Sequence, residues 1–482
     1  MDNDSFNMKS SKKKVLFLLV LIATILLCTM PMKLAPYWNG EITAHRNQYE
    51  LCADAFLEGH LNIEYDDYDK RLEEMENPYD PDLRRELGIK YHWDHAFYKG
   101  KYYMYFGVAP VIFLFIPYKV ITGHTLPTCE ATMIITGLFI VGLFMLFYNI
   151  CKYLYPKTKY GIYLALAAAF SCLSVWICTG RPALYCTAII SGLCTSIWSF
   201  YFYLKAVYGN KLLNKAIIYA TIGGFFGAIT FACRPPLGFI NLLAIPLVIT
   251  FFKKYGLNKK VILKVLIVLI PYLIVGTLLM LYNYARFENV FEFGQSYQIT
   301  LADQHNYLGI FARFDIVKIL SGILYNFLEI KLPTKMFTFP YLNISGAFIN
   351  YPILLLPYLL FIKKDFRDNL KNKDIKWLYI CLMTLPFIIT IIDILGSPFL
   401  TERYRLDIYF ILGVLTFICI INYYEIFKFS VKYDLYKYIT YGVSILVIIT
   451  SILLFFVPCD YNYTAYYSDI IPKINDALNI FK

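Results

Sequence analysis

The chain has 482 residues, 59% of them hydrophobic and 16% charged, against roughly a quarter charged in a soluble domain. Its formal charge of +11 does not indicate nucleic-acid binding, because the Lys and Arg fall in short loops between apolar runs, where they orient a membrane chain. The 12 Cys form no Cys-x-x-Cys pair, so neither a zinc nor a redox motif is present.

The N-terminus carries Lys12, Lys13 and Lys14 before an apolar run from Val15 to Met30. No small-residue cleavage site follows, so this run is read as a retained first span. A span needs about 20 apolar residues. Runs of that kind lie at 15–32, 128–151, 160–179, 182–204, 216–233, 236–252, 261–283, 341–362, 377–395, 406–424 and 438–457. The sequence therefore predicts an all-α polytopic membrane protein with about eleven transmembrane helices.

A further run, 106–121, is shorter. If it does not cross, the basic clusters at 12–14, 152–159, 205–215, 253–260, 363–376 and 428–437 all fall on one side with the N-terminus. That side is the cytoplasm by the bias of Lys and Arg towards it. If the run crossed, every later cluster would move to the opposite side. It is read as a juxtamembrane helix on the outer surface. The expected layout is a transmembrane domain over 1–458 with outer loops at 33–105 and 284–340, then a short outer tail at 459–482. The first loop is acidic in balance, with Glu64, Asp66, Asp67, Asp69, Glu73, Glu74 and Glu76. In the second, 311–331 has an amphipathic stripe of Phe314, Val317, Leu320, Leu324, Phe327 and Leu328.

Function concentrates in long polar loops carried by a rigid scaffold. In the first loop Tyr49, Ala53, Phe56 and Leu57 fit one helical face, and Gly59 is a stop signal. Asp54 sits beside that face. A carboxylate there suits a general base for a sugar hydroxyl as well as it suits a solvated helix side. Further along, Asp94 and His95 precede Lys99-Gly100-Lys101, a tight-turn signal, and a Tyr-rich run. Arginines recur at outer span ends: Arg181, Arg234, Arg286, Arg403 and Arg405. The positive-inside bias disfavours Arg there. A guanidinium binds phosphate in a forked geometry. Pairing with Glu402, Asp407 or Glu288, or snorkelling to headgroups, accounts better for any single one, while several at one membrane depth point to an anionic ligand.

Four stretches, Tyr49 to Leu61, Gly100 to Pro117, Tyr282 to Tyr297 and Glu402 to Asp407, together resemble the GT-C class of membrane glycosyltransferases. The resemblance is to its bacterial mannosyltransferase-like and lipopolysaccharide-core-transferase-like branch. It implies transfer of a sugar from a polyprenyl-phosphate donor to a lipid, glycan or protein acceptor outside the cytoplasm. It also implies an acidic base or metal ligand in the first outer loop, before an aromatic pair. There this chain has His45, Arg46 and Asn47, so the role falls to Glu41 upstream, to Asp54 downstream, or to Asp94. The arginines would hold the donor phosphate. No certain cofactor is implied, and participation of a divalent metal stays open. The rival classes are a lipid-linked glycan flippase, which needs polar groups along its spans, and a non-catalytic assembly protein of the cell envelope.

Overall fold

The computed structural model describes residues 6, 10–35, 38, 47–306, 314–333, 339–397, 400–426, 433–457 and 470–478. The protein is an all-α polytopic membrane protein: ten helices among the described residues are long and apolar enough to cross a bilayer. The elements that position the site are α1 (Ser11–Thr29), α2 (Gln48–Glu58), strands β1 (Ala96–Tyr98) and β2 (Lys101–Tyr103), α3 (Val111–Thr122), α4 (Thr128–Leu154), α5 (Tyr160–Gly180), α6 (Leu184–Tyr208), α7 (Leu213–Cys233), α8 (Pro235–Tyr255), α9 (Lys259–Phe287), α10 (Ile316–Leu328), α11 (Lys376–Gly396), α12 (Leu406–Ile426) and α13 (Tyr433–Phe455).

Helices that are apolar all round face either other helices or lipid. α12 is enclosed along nearly its whole length, whereas α9 exposes Leu266, Leu273, Leu278 and Leu281. Without a hydrophobic force between helices in lipid, close approach depends on small residues. A Cβ at Gly227 of α7 would lie 2.2 Å from Asn241 Oδ1 and 2.3 Å from the Tyr272 hydroxyl. Those two groups hydrogen-bond each other at 2.6 Å.

The run 341–362, expected as one span, is not a single helix. It forms a four-residue helix Ala347–Asn350, a 3-10 turn Pro352–Leu355 and a short helix Leu356–Phe361. Pro352 and Pro357 cannot donate backbone hydrogen bonds, and Asn350 takes the Ser345 amide at 2.8 Å on its side chain instead. The segment still traverses the bundle. At one end Ser345 O accepts from Arg405 (2.9 Å). At the other, Asn369 just beyond it donates to Asn422 near the end of α12 (2.9 Å).

The two ends of the bundle differ in chemistry. At one, the lysine-rich turns meet: Tyr160 donates to Lys13 O (3.1 Å), Lys254 to Val207 O (2.6 Å), Lys373 to Leu154 O (2.6 Å), and Lys253 pairs with Asp374 (2.6 Å). At the other, the two long hydrophilic segments pack on each other. Asn77 donates to Asp303 (2.7 Å), Arg84 to Thr300 O (2.6 Å), and the Phe97 amide to Tyr297 O (2.8 Å). β1 and β2 form an antiparallel hairpin pairing Tyr98 with Lys101. Its turn needs positive φ at both central residues, which Lys99 (48°) and Gly100 (73°) supply.

The run 106–121 appears as α3. At 12 residues it is about 18 Å long, well under a bilayer's hydrocarbon core. It lies at the loop end against α2, where Tyr49 and Phe115 stack at 5.4 Å. α10 buries Ile319, Asn326 and Phe327, with Phe327 stacked on Phe387 of α11 at 4.5 Å. Its stripe of Val317, Leu320 and Leu324 is left exposed, as a helix lying in the membrane surface requires.

Candidate active site

The ends of α5, α7 and α11 and the starts of α6 and α12 converge beneath the hairpin. Asp94 is the hairpin's contribution. Its backbone is left-handed (φ 63°), a conformation Asp tolerates better than most residues. Neighbours on both sides fix it. The Asp94 amide donates to Ile299 O (2.9 Å), the Ile299 amide to His95 O (2.9 Å), and Gln48 Nε2 to Asp94 O (3.0 Å). The buried His95 ring lies 2.8 Å through Nδ1 from Trp93 O and 2.9 Å through Nε2 from the Tyr65 hydroxyl. Trp93 O can only accept, so Nδ1 carries the proton and Nε2 accepts from Tyr65.

This scaffold aims the Asp94 carboxylate into the bundle, where only 4% of the residue is exposed. Oδ1 accepts from Tyr105 (2.8 Å) and Oδ2 from Tyr185, at the start of α6. Burial, and then the neighbouring Asp94 carboxylate, push the Tyr105 phenol well above its ordinary pKa. It therefore stays protonated and keeps donating.

Arg403, just before α12, lies over the Tyr185 ring (4.0 Å to the centroid) and near the Tyr404 ring (5.8 Å). Arg234, at the end of α7, is 5.2 Å from the same Tyr404 ring. One aromatic side chain therefore has two guanidiniums within cation–π range. Arg234 gives Nε and Nη2 to Asp407, at 3.0 and 2.6 Å, and lies 3.9 Å from Asp393. Its Nη1 makes no hydrogen bond among the described residues, and its side chain keeps 18% exposure. The Asp393 carboxylate is 1% exposed and has no hydrogen-bond partner in the described structure. The chain from Tyr105 to Gly107 presses on the end of α7 so tightly that a Cβ on Gly107 would sit 2.0 Å from Cys233 O.

The other predicted residues are placed differently. Asp54, on α2, pairs with Lys119 of α3, both about 30% exposed. Glu41 lies outside the described residues. Arg181 caps the end of α5, half-buried. Arg286 donates to Met104 O (2.8 Å) and Asn283 (2.9 Å) beneath the Tyr282 ring. Arg405 is fully buried and gives its two terminal nitrogens to Ile344 O, Ser345 O, Tyr325 O and the Glu329 carboxylate. Sequence reasoning missed Tyr105, Tyr185 and Tyr404 as site residues, since in a chain with 44 Tyr a tyrosine at a span end reads as an interfacial anchor. Among the described residues, no three His, Cys, Asp or Glu side chains gather as a metal site would need.

No protein-family model matches the chain, and no curated protein matches it. Among solved structures it is similar to the apo form of the Archaeoglobus fulgidus oligosaccharyltransferase, with 12% sequence identity and a TM-score of 0.47. The match covers 94% of this chain and 57% of that protein, so the chain spans little more than half its length.

Proposed function

We propose that the protein is a membrane glycosyltransferase of GT-C type. It moves a sugar from a polyprenyl-phosphate donor to an acceptor hydroxyl on a lipid, glycan or protein at the extracytoplasmic face of the membrane. The observation that carries this reading is that the Asp94 carboxylate and the Arg403 guanidinium meet on one side chain, Tyr185, with Arg234 beyond Tyr404. A base and a phosphate cradle are the two parts the reaction needs. The lysine-rich turns at the opposite end support placing this end outside the cytoplasm.

In this reading the acceptor hydroxyl loses its proton towards Asp94 and its oxygen attacks the anomeric carbon. The bond from that carbon to the phosphate oxygen breaks, and the electron pair leaves with the lipid phosphate. Arg403 and the open Nη1 edge of Arg234 face the charge that develops, while Asp407 holds Arg234 in place. A positioned base contributes about 10²–10⁴ in rate, and each fixed donor at developing charge about 10²–10³. Asp54 is the weaker base candidate, because Lys119 occupies it. The test is to delete the gene and profile envelope glycans and lipids by mass, then to complement with wild type, Asp94→Asn and Arg403→Ala. Wild type restores a missing sugar, Asp94→Asn fails to, and Arg403→Ala restores it weakly. Full restoration by Asp94→Asn would end the reading.

A further inference from the structure

Asp94 is poorly placed to meet a substrate directly. It is 4% exposed, and both carboxylate oxygens are covered by phenols. The two phenols are not equivalent. Tyr105 is wedged against Phe106, with ring centroids 4.2 Å apart, and against Gly294, where an added Cβ would touch Tyr105 Cβ at 3.1 Å. Tyr185, at the start of α6, is half-buried like Tyr105 and also meets Phe106 (5.5 Å), but of the two phenols it is Tyr185 whose ring lies under the Arg403 guanidinium, at 4.0 Å. An acceptor entering beside the arginine cradle therefore reaches the Tyr185 hydroxyl before the carboxylate behind it.

We propose that Tyr185 is the catalytic residue that touches the acceptor and relays its proton to Asp94. The inference rests on the glycosyl-transfer reading above. As the acceptor oxygen bonds to the anomeric carbon, its proton passes to the Tyr185 oxygen while the Tyr185 proton passes to Asp94 Oδ2. Tyrosine ends as it began, Asp94 gains one proton, and the departing phosphate takes the electron pair. Because the two transfers are concerted, no phenolate builds up. Arg403 over the ring fixes the phenol's direction. Tyr105 supplies the second bond that keeps the carboxylate pointing at Tyr185.

The test compares wild type, Asp94→Asn, Tyr185→Phe, Tyr105→Phe and Tyr185→His in the deletion strain. It then measures membranes for release of labelled hexose from polyprenyl-phosphate hexose in H2O and D2O. The expected results are a fall in kcat of about 10²-fold or more for Tyr185→Phe with KM little changed, and less than about tenfold for Tyr105→Phe. Tyr185→His, which retains an atom able to pass a proton, recovers part of the rate. In wild type, the rate against deuterium fraction is curved, as two protons in flight require. A purely structural Tyr185 would move neither the curvature nor the rescue by His. If Asp94→Asn is inactive while Tyr185→Phe turns over at nearly the wild-type rate, the relay is wrong and the transferase reading stands. If Asp94→Asn is active, or deletion changes no glycan, both fall together.

Discussion

A guanidinium enclosed in protein needs partners for its donors, and the arginines at the loop end divide by what their terminal nitrogens hold. Arg84 donates to Pro78 O and Thr300 O, both at 2.6 Å. Arg286 holds Met104 O, and Arg405 ties three carbonyls and Glu329 together. These three are fasteners. Arg234 keeps Nη1 unbonded beside the Tyr404 ring, and Arg403 lies over the Tyr185 ring. From sequence Arg181, Arg234, Arg286, Arg403 and Arg405 looked alike, because each follows or precedes an apolar run. Their roles depend on carbonyls up to 182 residues away. Arg405→Met should therefore lower stability by about 3 kcal/mol, the cost of leaving three carbonyls without donors and taking from Glu329 its nearest cation. Thermal unfolding in detergent measures the loss, and an unchanged melting temperature would contradict the fastening role.

Among the elements, those whose patterns are local were legible. α2 with its Gly59 stop, the Lys99-Gly100 turn and the amphipathic α10 all rest on spacing within a few residues. The interrupted crossing at 341–362 was not. Its apolar content matches a helix, while Asn343, Ser345, Asn350 and two prolines set its path through side-chain bonds and the backbone contact at Gly346, where a Cβ would meet Leu328 N at 2.5 Å. The pairing of the two long loops was also invisible, since strand-like contacts such as Ala96 with Gln298 join positions 202 residues apart in sequence. One of those contacts is set by charge. Burial works to raise the Asp303 carboxyl, but donors from Asn77, Asn306 and His305 outweigh it, and its pKa lies below the ordinary value. A depressed folded-state pKa contributes stability above the unfolded value and loses it as pH falls through the folded one. Protection from hydrogen exchange over 295–306, taken relative to the intrinsic rate at each pH, should accordingly fall once the pH drops below about 4, the ordinary aspartate value. Asp303→Asn should show no such acid step.

At the scale of the molecule, span length located the ten long apolar helices found among the described residues, because it acts independently of packing. What it could not supply was convergence: which span ends share a cavity depends on how helices cluster, and clustering depends on glycine contacts and polar seams that no periodicity encodes. The expected topology has a direct measurement. Single cysteines introduced at Arg85 and Asp303 should both react with a membrane-impermeant maleimide added to intact cells, and one at Lys371 should react only after permeabilisation. Opposite labelling of Arg85 and Asp303 would break the joint loop unit.

The joining of the two loops also orders events in time. Asp94 owes its backbone conformation to Ile299, and its partner arginine comes later still, at 403. A ribosome moving at roughly 5–20 residues per second needs ~15–60 s to pass from the first of these to the last. Through that interval the first loop waits without its mate. Newborn chains halted before the second loop should thus be open to proteases that the longer chain resists.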